Sequence, residues 1–92
     1  MGLRFTWNKE KAAANLANHG VSFEEATTVF ADRLSVTIAD PAHSEDETRF
    51  VIAGQSYAGR LLVVVHAERA DTIRVISARM ATRRERVNYE QG

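Results

Sequence analysis

Arg60-Leu61-Leu62-Val63-Val64-Val65-His66-Ala67-Glu68, then Arg69-Ala70-Asp71, then Thr72-Ile73-Arg74-Val75-Ile76-Ser77-Ala78-Arg79-Met80 form the most β-rich part of the sequence. Two runs dense in β-branched residues, joined by a short polar loop, read as a hairpin, and so short a loop permits only antiparallel pairing. In the first run Leu61, Val63, Val65 and Ala67 alternate with Arg60, Leu62, Val64, His66 and Glu68. One face is therefore apolar and the other ends in polar residues. A three-residue loop at Arg69–Asp71 sets His66 opposite Arg74. Upstream, Ala58-Gly59 makes a tight turn from a strand over Arg49–Ser56, which brings Arg49 to the same side, near His66 or Glu68. The expectation is a polar patch of Arg49, His66, Glu68 and Arg74 at one end of the outer sheet face.

The rest of the chain supplies the other layers. Leu3–Trp7 alternates as a short strand. Asn8 is a good N-cap for an alanine-rich helix over Lys9–Asn18, which His19-Gly20 ends. Ser22-Phe23-Glu24-Glu25 reads as a capping box, opening a second short helix to about Phe30 with Phe23, Ala26, Val29 and Phe30 on one face. Leu34–Asp40 is a further strand, followed by an acidic loop from Pro41 to Glu47. Thr82-Arg83-Arg84-Glu85 is a second capping box, opening a C-terminal helix to about Tyr89. The order β-α-α-β-β-β-α predicts a single α+β domain over residues 1–92. Its sheet is mainly antiparallel, with two N-terminal helices packed on one face and a short C-terminal helix.

Composition narrows the function. The 92 residues contain no cysteine, which excludes a disulfide framework, a thiolate nucleophile and an iron–sulfur site. The longest apolar run, Leu61–Val65, is far too short to span a membrane. No secretory signal opens the chain, so the expectation is a cytoplasmic protein without a membrane partner. Twelve basic and twelve acidic residues give zero net charge, but the halves differ. Residues 1–48 carry −4 and residues 49–92 carry +4, with arginine as every base of the second half. Arginine matches phosphate bidentately, which points to an anionic partner, unless the two halves pair off on folding. No nucleotide-binding or hydrolase-elbow motif is present. His19, His43 and His66 lie in separate elements without metal-ligand spacing, so neither a metal nor another cofactor is expected. The stretch Ser77–Arg86 puts arginines at a strand end and at a helix N-terminus, where backbone amides attract phosphate.

Phe5-Thr6-Trp7-Asn8-Lys9-Glu10-Lys11-Ala12-Ala13-Ala14-Asn15-Leu16 and Asn18-His19-Gly20-Val21-Ser22-Phe23-Glu24-Glu25-Ala26 resemble the opening of BrnT-type toxins. The blocks Asp40–Ser44, Glu47–Phe50, Gly59–His66, Ile73–Arg79 and Thr82–Tyr89 continue the resemblance in family order, across nearly the whole chain. It implies a RelE-like fold and a type II toxin–antitoxin component, a ribonuclease that cuts RNA and inhibits translation. A DNA-binding antitoxin of BrnA type would neutralise it, in a two-plus-two complex that reads DNA only through the antitoxin. The alternative is a catalytically inactive RNA- or antitoxin-binding module acting as co-repressor.

RNA carries its own nucleophile, the 2′-OH beside the scissile phosphate, so arginines can supply the charge and no metal is required. Arg74 and Arg79 are the candidates for phosphate and transition-state contact, with His66 as acid or base. By analogy with RelE-like toxins, Tyr89 on the last helix joins the catalytic set. Arg49, Arg60, Arg83 and Arg84 are the candidates for RNA binding.

Overall fold

The computed structural model describes residues 3–40 and 48–92. The acidic Pro41–Glu47 stretch, His43 included, lies outside them. Five strands form one mixed sheet: β1 (Arg4–Thr6), β2 (Val36–Ala39), β3 (Arg49–Gln55), β4 (Leu61–Arg69) and β5 (Thr72–Met80), in the order β1-β5-β4-β3-β2. The β1 strand runs parallel to β5 and every other pair is antiparallel. Helices α1 (Lys9–His19) and α2 (Phe23–Thr27), followed by a 3-10 turn at Thr28–Ala31, precede β2, and α3 (Arg83–Gln91) follows β5. Each strand and helix lies where the sequence places it, but four strands follow α2, so the order is β-α-α-β-β-β-β-α, one strand more than the β-α-α-β-β-β-α written for it.

Local chemistry sets the helix ends. The Asn8 side chain accepts from Lys11 N–H, and Gly20 closes α1 in the left-handed region at φ 69°. That conformation is strained for any residue with a Cβ. The fully buried Val21, Phe23, Ala26 and Val29 then pack on Ile52, Leu62, Val64, Val75 and Ala78. This is the helix side of the sheet.

Alternate strand residues turn to the opposite, open face. There α3 lies over Val36, Ile38, Val51, Ala53 and Val63, leaving a groove of about 270 Å³.

Asn15 is the buried residue of α1 and does the work of a strand. The β1 strand pairs only with Thr72–Arg74, so Ala78 lies past its end. There the Asn15 amide donates to Ala78 C=O at 2.8 Å and accepts from Ala78 N–H at 3.1 Å. It also donates to Val21 C=O at 2.9 Å, so all three backbone groups are satisfied.

Two details overturn the expected register. The β4–β5 connection is the two-residue Ala70-Asp71 loop, with Ala70 at φ 53°, so Arg69 pairs with Thr72. Ile76 is then an extra residue on β5, because Val65 pairs with Ser77 and His66 with Val75. His66 therefore faces Val75, and Arg74 faces Ala67. On the other side of β4 the turn is wider than Ala58-Gly59 implies. Ser56 N–H donates to Arg60 C=O at 2.8 Å, and Gly59 N–H, at φ 76°, donates to Ser56 C=O at 2.9 Å. Arg49 consequently pairs with Ala67 rather than reaching His66 or Glu68.

The wider turn is fixed from α2. Glu25 opens α2 in the pattern of a capping box, and its backbone N–H does bond the Ser22 hydroxyl at 3.0 Å. Its carboxylate goes elsewhere. It accepts from Ser56 Oγ at 2.6 Å and from Arg60 Nε at 2.9 Å. Arg60 also donates to Gly20 C=O at 3.1 Å. One carboxylate thus ties the helix pair to the β3–β4 turn. Arg60 hydrogen bonds are the chief reason its acidity is raised and its pKa lowered, against the opposing effect of burial.

Candidate active site

The expected patch divides between the two faces. Paired residues of antiparallel strands share a face, so Arg49, Ala67 and Arg74 form one row across β3, β4 and β5 on the open side, and Thr6 of β1 continues it. Two arginines straddle a small alanine, with Cα atoms about 10 Å apart from two strand spacings. Both side chains start from the open face on either side of Ala67. Arg79 pairs with Val63, on the same face about 13 Å farther along the sheet.

His66 is on the other face and fully buried. Phe30 meets it edge-on at 4.8 Å between centroids, and Phe50 stacks on it at 5.8 Å. Its Nε2 lies 3.0 Å from Glu68 Oε2, and its Nδ1 has no partner among the described residues. Glu68 is the outlet of that histidine. Its side chain is 45% exposed and lines a polar recess with Thr6, Ala67, Arg69, Thr72 and Arg74. At the sheet end, Glu68 connects the buried histidine to the recess that Arg74 also lines.

The second group of candidates meets at α3. Arg79 makes a two-pronged contact with Glu85, at 2.8 and 2.9 Å. The same carboxylate accepts from Thr82 N–H at 2.8 Å, completing the capping box. The anion at this helix N-terminus is thus the protein's own Glu85, where the sequence suggests a phosphate. Arg83 and Arg84 remain exposed on the first turn. Tyr89 donates its phenol proton to Asp32, which also accepts from Gln55 N–H at 2.8 Å and Leu34 N–H at 2.9 Å. The bond to Asp32 is the main cause of a Tyr89 pKa pushed up from 10 to about 12.

Arg79 bonding, opposed by burial, holds Glu85 at about 2 against an ordinary 4.5. The folded-state carboxyl is the stronger acid, so its stabilisation is complete above the ordinary value and disappears as pH falls towards 2. In thermal melts from about pH 5 down to about pH 2.5, the wild type should lose more Tm than Glu85→Gln, the two converging at the acid end. Parallel curves would show that the pair contributes nothing to stability.

Sequence reasoning missed Asp32, Glu85 as the partner of Arg79, and Asn15. Glu85 carried a signal, since it sits six residues after Arg79 across a strand–helix junction. Asp32 and Asn15 carried none, because their partners are 57 and 63 residues away.

A family model described as the ribonuclease toxin BrnT of type II toxin–antitoxin systems matches residues 7–85. The chain belongs to the BrnT family. It is therefore related to ribonuclease toxins, as the arginine-lined open face suits. Its fold is similar to that of the Brucella abortus ribonuclease toxin BrnT in a crystal structure, with a TM-score of 0.65 and 19% sequence identity. That match covers 88% of this chain and 99% of the Brucella chain. No curated protein sequence matches this BrnT-family chain. The shared architecture is the α+β sheet with its three helices.

Proposed function

We propose that this BrnT-family protein is a metal-independent endoribonuclease toxin that inhibits translation in the cytoplasm until a BrnA-like antitoxin binds it. The observation that carries the reading is the row of Arg49, Ala67 and Arg74 beside the Glu68 recess. A phosphodiester seated above Ala67 receives charge from both sides. The arginines stabilise the phosphorane that forms when the 2′-oxygen attacks phosphorus, supplying charge that a metal supplies elsewhere.

Glu68 is the carboxylate lining that recess and takes the 2′-OH proton. The P–O5′ bond then breaks, leaving a 2′,3′-cyclic phosphate, and the departing 5′-oxygen takes a proton from water. His66 acts through it as a positioning residue, without touching RNA. Arg79, Arg83 and Arg84 guide the strand at the α3 end. Tyr89 is held protonated by Asp32 and shapes that end of the face. Arg60 is committed to Glu25 and is assigned to the fold rather than to RNA. DNA is read only by the antitoxin, in a two-plus-two complex.

Expression without antitoxin should arrest bacterial growth, and purified protein should cut bare RNA equally with and without EDTA. Vigorous growth with confirmed folded protein would favour an inactive co-repressor. Activity lost on chelation and restored by Mg²⁺ would overturn the arginine-only mechanism.

A further inference from the structure

The β2 strand ends the sheet, and among the described residues no strand pairs with its outer edge. All four of its residues, Val36–Ala39, are exposed. Proteins usually blunt such an edge with charge, proline or a bulge, and Val-Thr-Ile-Ala has none of these. The direction of its backbone groups follows from one bond. Asp40 N–H donates inward to Arg49 C=O at 2.8 Å. Inward and outward groups alternate in an antiparallel ladder, so Ile38 and Val36 also turn inward, while Thr37 and Ala39 present N–H and C=O outward. On the open face, Val36 and Ile38 are 49% and 60% exposed. They flank the apolar groove whose far wall is Asn88 and Tyr89 of α3.

We propose that the antitoxin docks by adding an extended segment to the outer edge of β2, laying alternate apolar side chains in this groove and acidic ones against α3. The proposal rests on the toxin reading above and adds the surface and the chemistry of its partner. Edge addition gives main-chain bonds at Thr37 and Ala39, and the groove selects apolar side chains. Charge sets the flank. From residue 79 onward there are four arginines against two glutamates, and Glu85 is taken by Arg79. Arg84 lies one turn before Asn88, beside the groove, and favours a carboxylate. An apolar floor and an uncharged strand edge offer nothing to a phosphodiester, which argues for protein over RNA. A segment seated here lies against α3, which carries Tyr89 and engages Arg79 through Glu85, and so obstructs the RNA face.

The test uses the full chain and, as antitoxin, the product of the short DNA-binding-domain reading frame that the toxin reading expects beside its gene. Thr37→Pro removes an outward N–H without breaking the β2–β3 ladder. Ile38→Lys puts a charge in the groove. Leu16→Lys, at a 52% exposed apolar site on α1, is the control. Each of the first two should weaken antitoxin binding at least ~10-fold and abolish its protection against growth arrest. RNA cleavage by the free variants and antitoxin binding by the control should be unchanged. Full-strength binding by both groove variants would overturn the proposal alone. Lost cleavage with retained binding by Ile38→Lys would assign the groove to RNA. A wild-type dimer split by Thr37→Pro would assign the edge to a second copy. A wild type that does not bind this antitoxin would remove the toxin reading, and the docking proposal with it.

Discussion

Arg74→Ala is expected to lower the single-turnover rate of RNA cleavage by about 10²–10³-fold, the loss typical of deleting a group aimed at transition-state charge. Arg74 shares its recess with Glu68 and its row with Arg49. Removing it takes away one side of the phosphate clasp at the place where the base stands. Arg49→Ala should weaken RNA binding more than it slows the chemical step, because it lies across Ala67 from that recess. Arg74→Lys should recover only part of the rate, since an ammonium is a point charge without the planar fork. Glu68→Gln should fall as far as Arg74→Ala, while His66→Gln, acting through Glu68, should cost less. Cleavage of a short fluorescent RNA under enzyme excess measures all of these. An Arg74→Ala rate within threefold of wild type would move the reaction elsewhere on the face.

The second large effect concerns stability. Asn15→Ala leaves Ala78 N–H, Ala78 C=O and Val21 C=O without their partner. A buried unsatisfied polar group costs about 1–3 kcal/mol, so a loss of at least ~3 kcal/mol is expected from three. For a domain of this size, that lowers Tm by at least ~12 °C. Asn15→Leu should be no better, although it refills the volume, because the backbone groups stay unpaired. Urea or thermal unfolding followed by circular dichroism decides this. A Tm within a few degrees of wild type would mean that water replaces the amide.

Asn15 also shows where reading the sequence stops. The caps at Asn8, Ser22 and Thr82, the glycine at position 20 and the placing of each helix and strand were legible because each depends on nearby residues. Strand register was not. Glu25 has the spacing of a local helix cap, yet its carboxylate sets a turn more than thirty residues away. That turn shifted Arg49 by one position and so put it on the face opposite His66. His66 was singled out because the expected register put it in the polar patch; it lies instead on the helix side, buried against Phe30 and Phe50. Arg74 was chosen from that patch and Arg79 from its place at the end of the last strand, by analogy with RelE-like toxins, and they do share the open face. Arg79 turned out to be already engaged by Glu85, a pairing that spacing hinted at but could not orient.

That shared face depends on the extra residue at Ile76. Positions 74 and 79 are separated by an odd number of residues, and on an unbroken strand an odd interval puts two side chains on opposite sides. The bulge inserts one step and corrects the parity. Length changes in this strand are therefore more dangerous to the arginine pair than most substitutions. Deleting Ile76 restores the ordinary beat of the strand and sends one arginine to the helix side, with both guanidinium groups still encoded. Relatives that lack the extra step would need an even interval between their two arginines to present the same surface. In aligning such sequences, the count between the arginines is as informative as their identity.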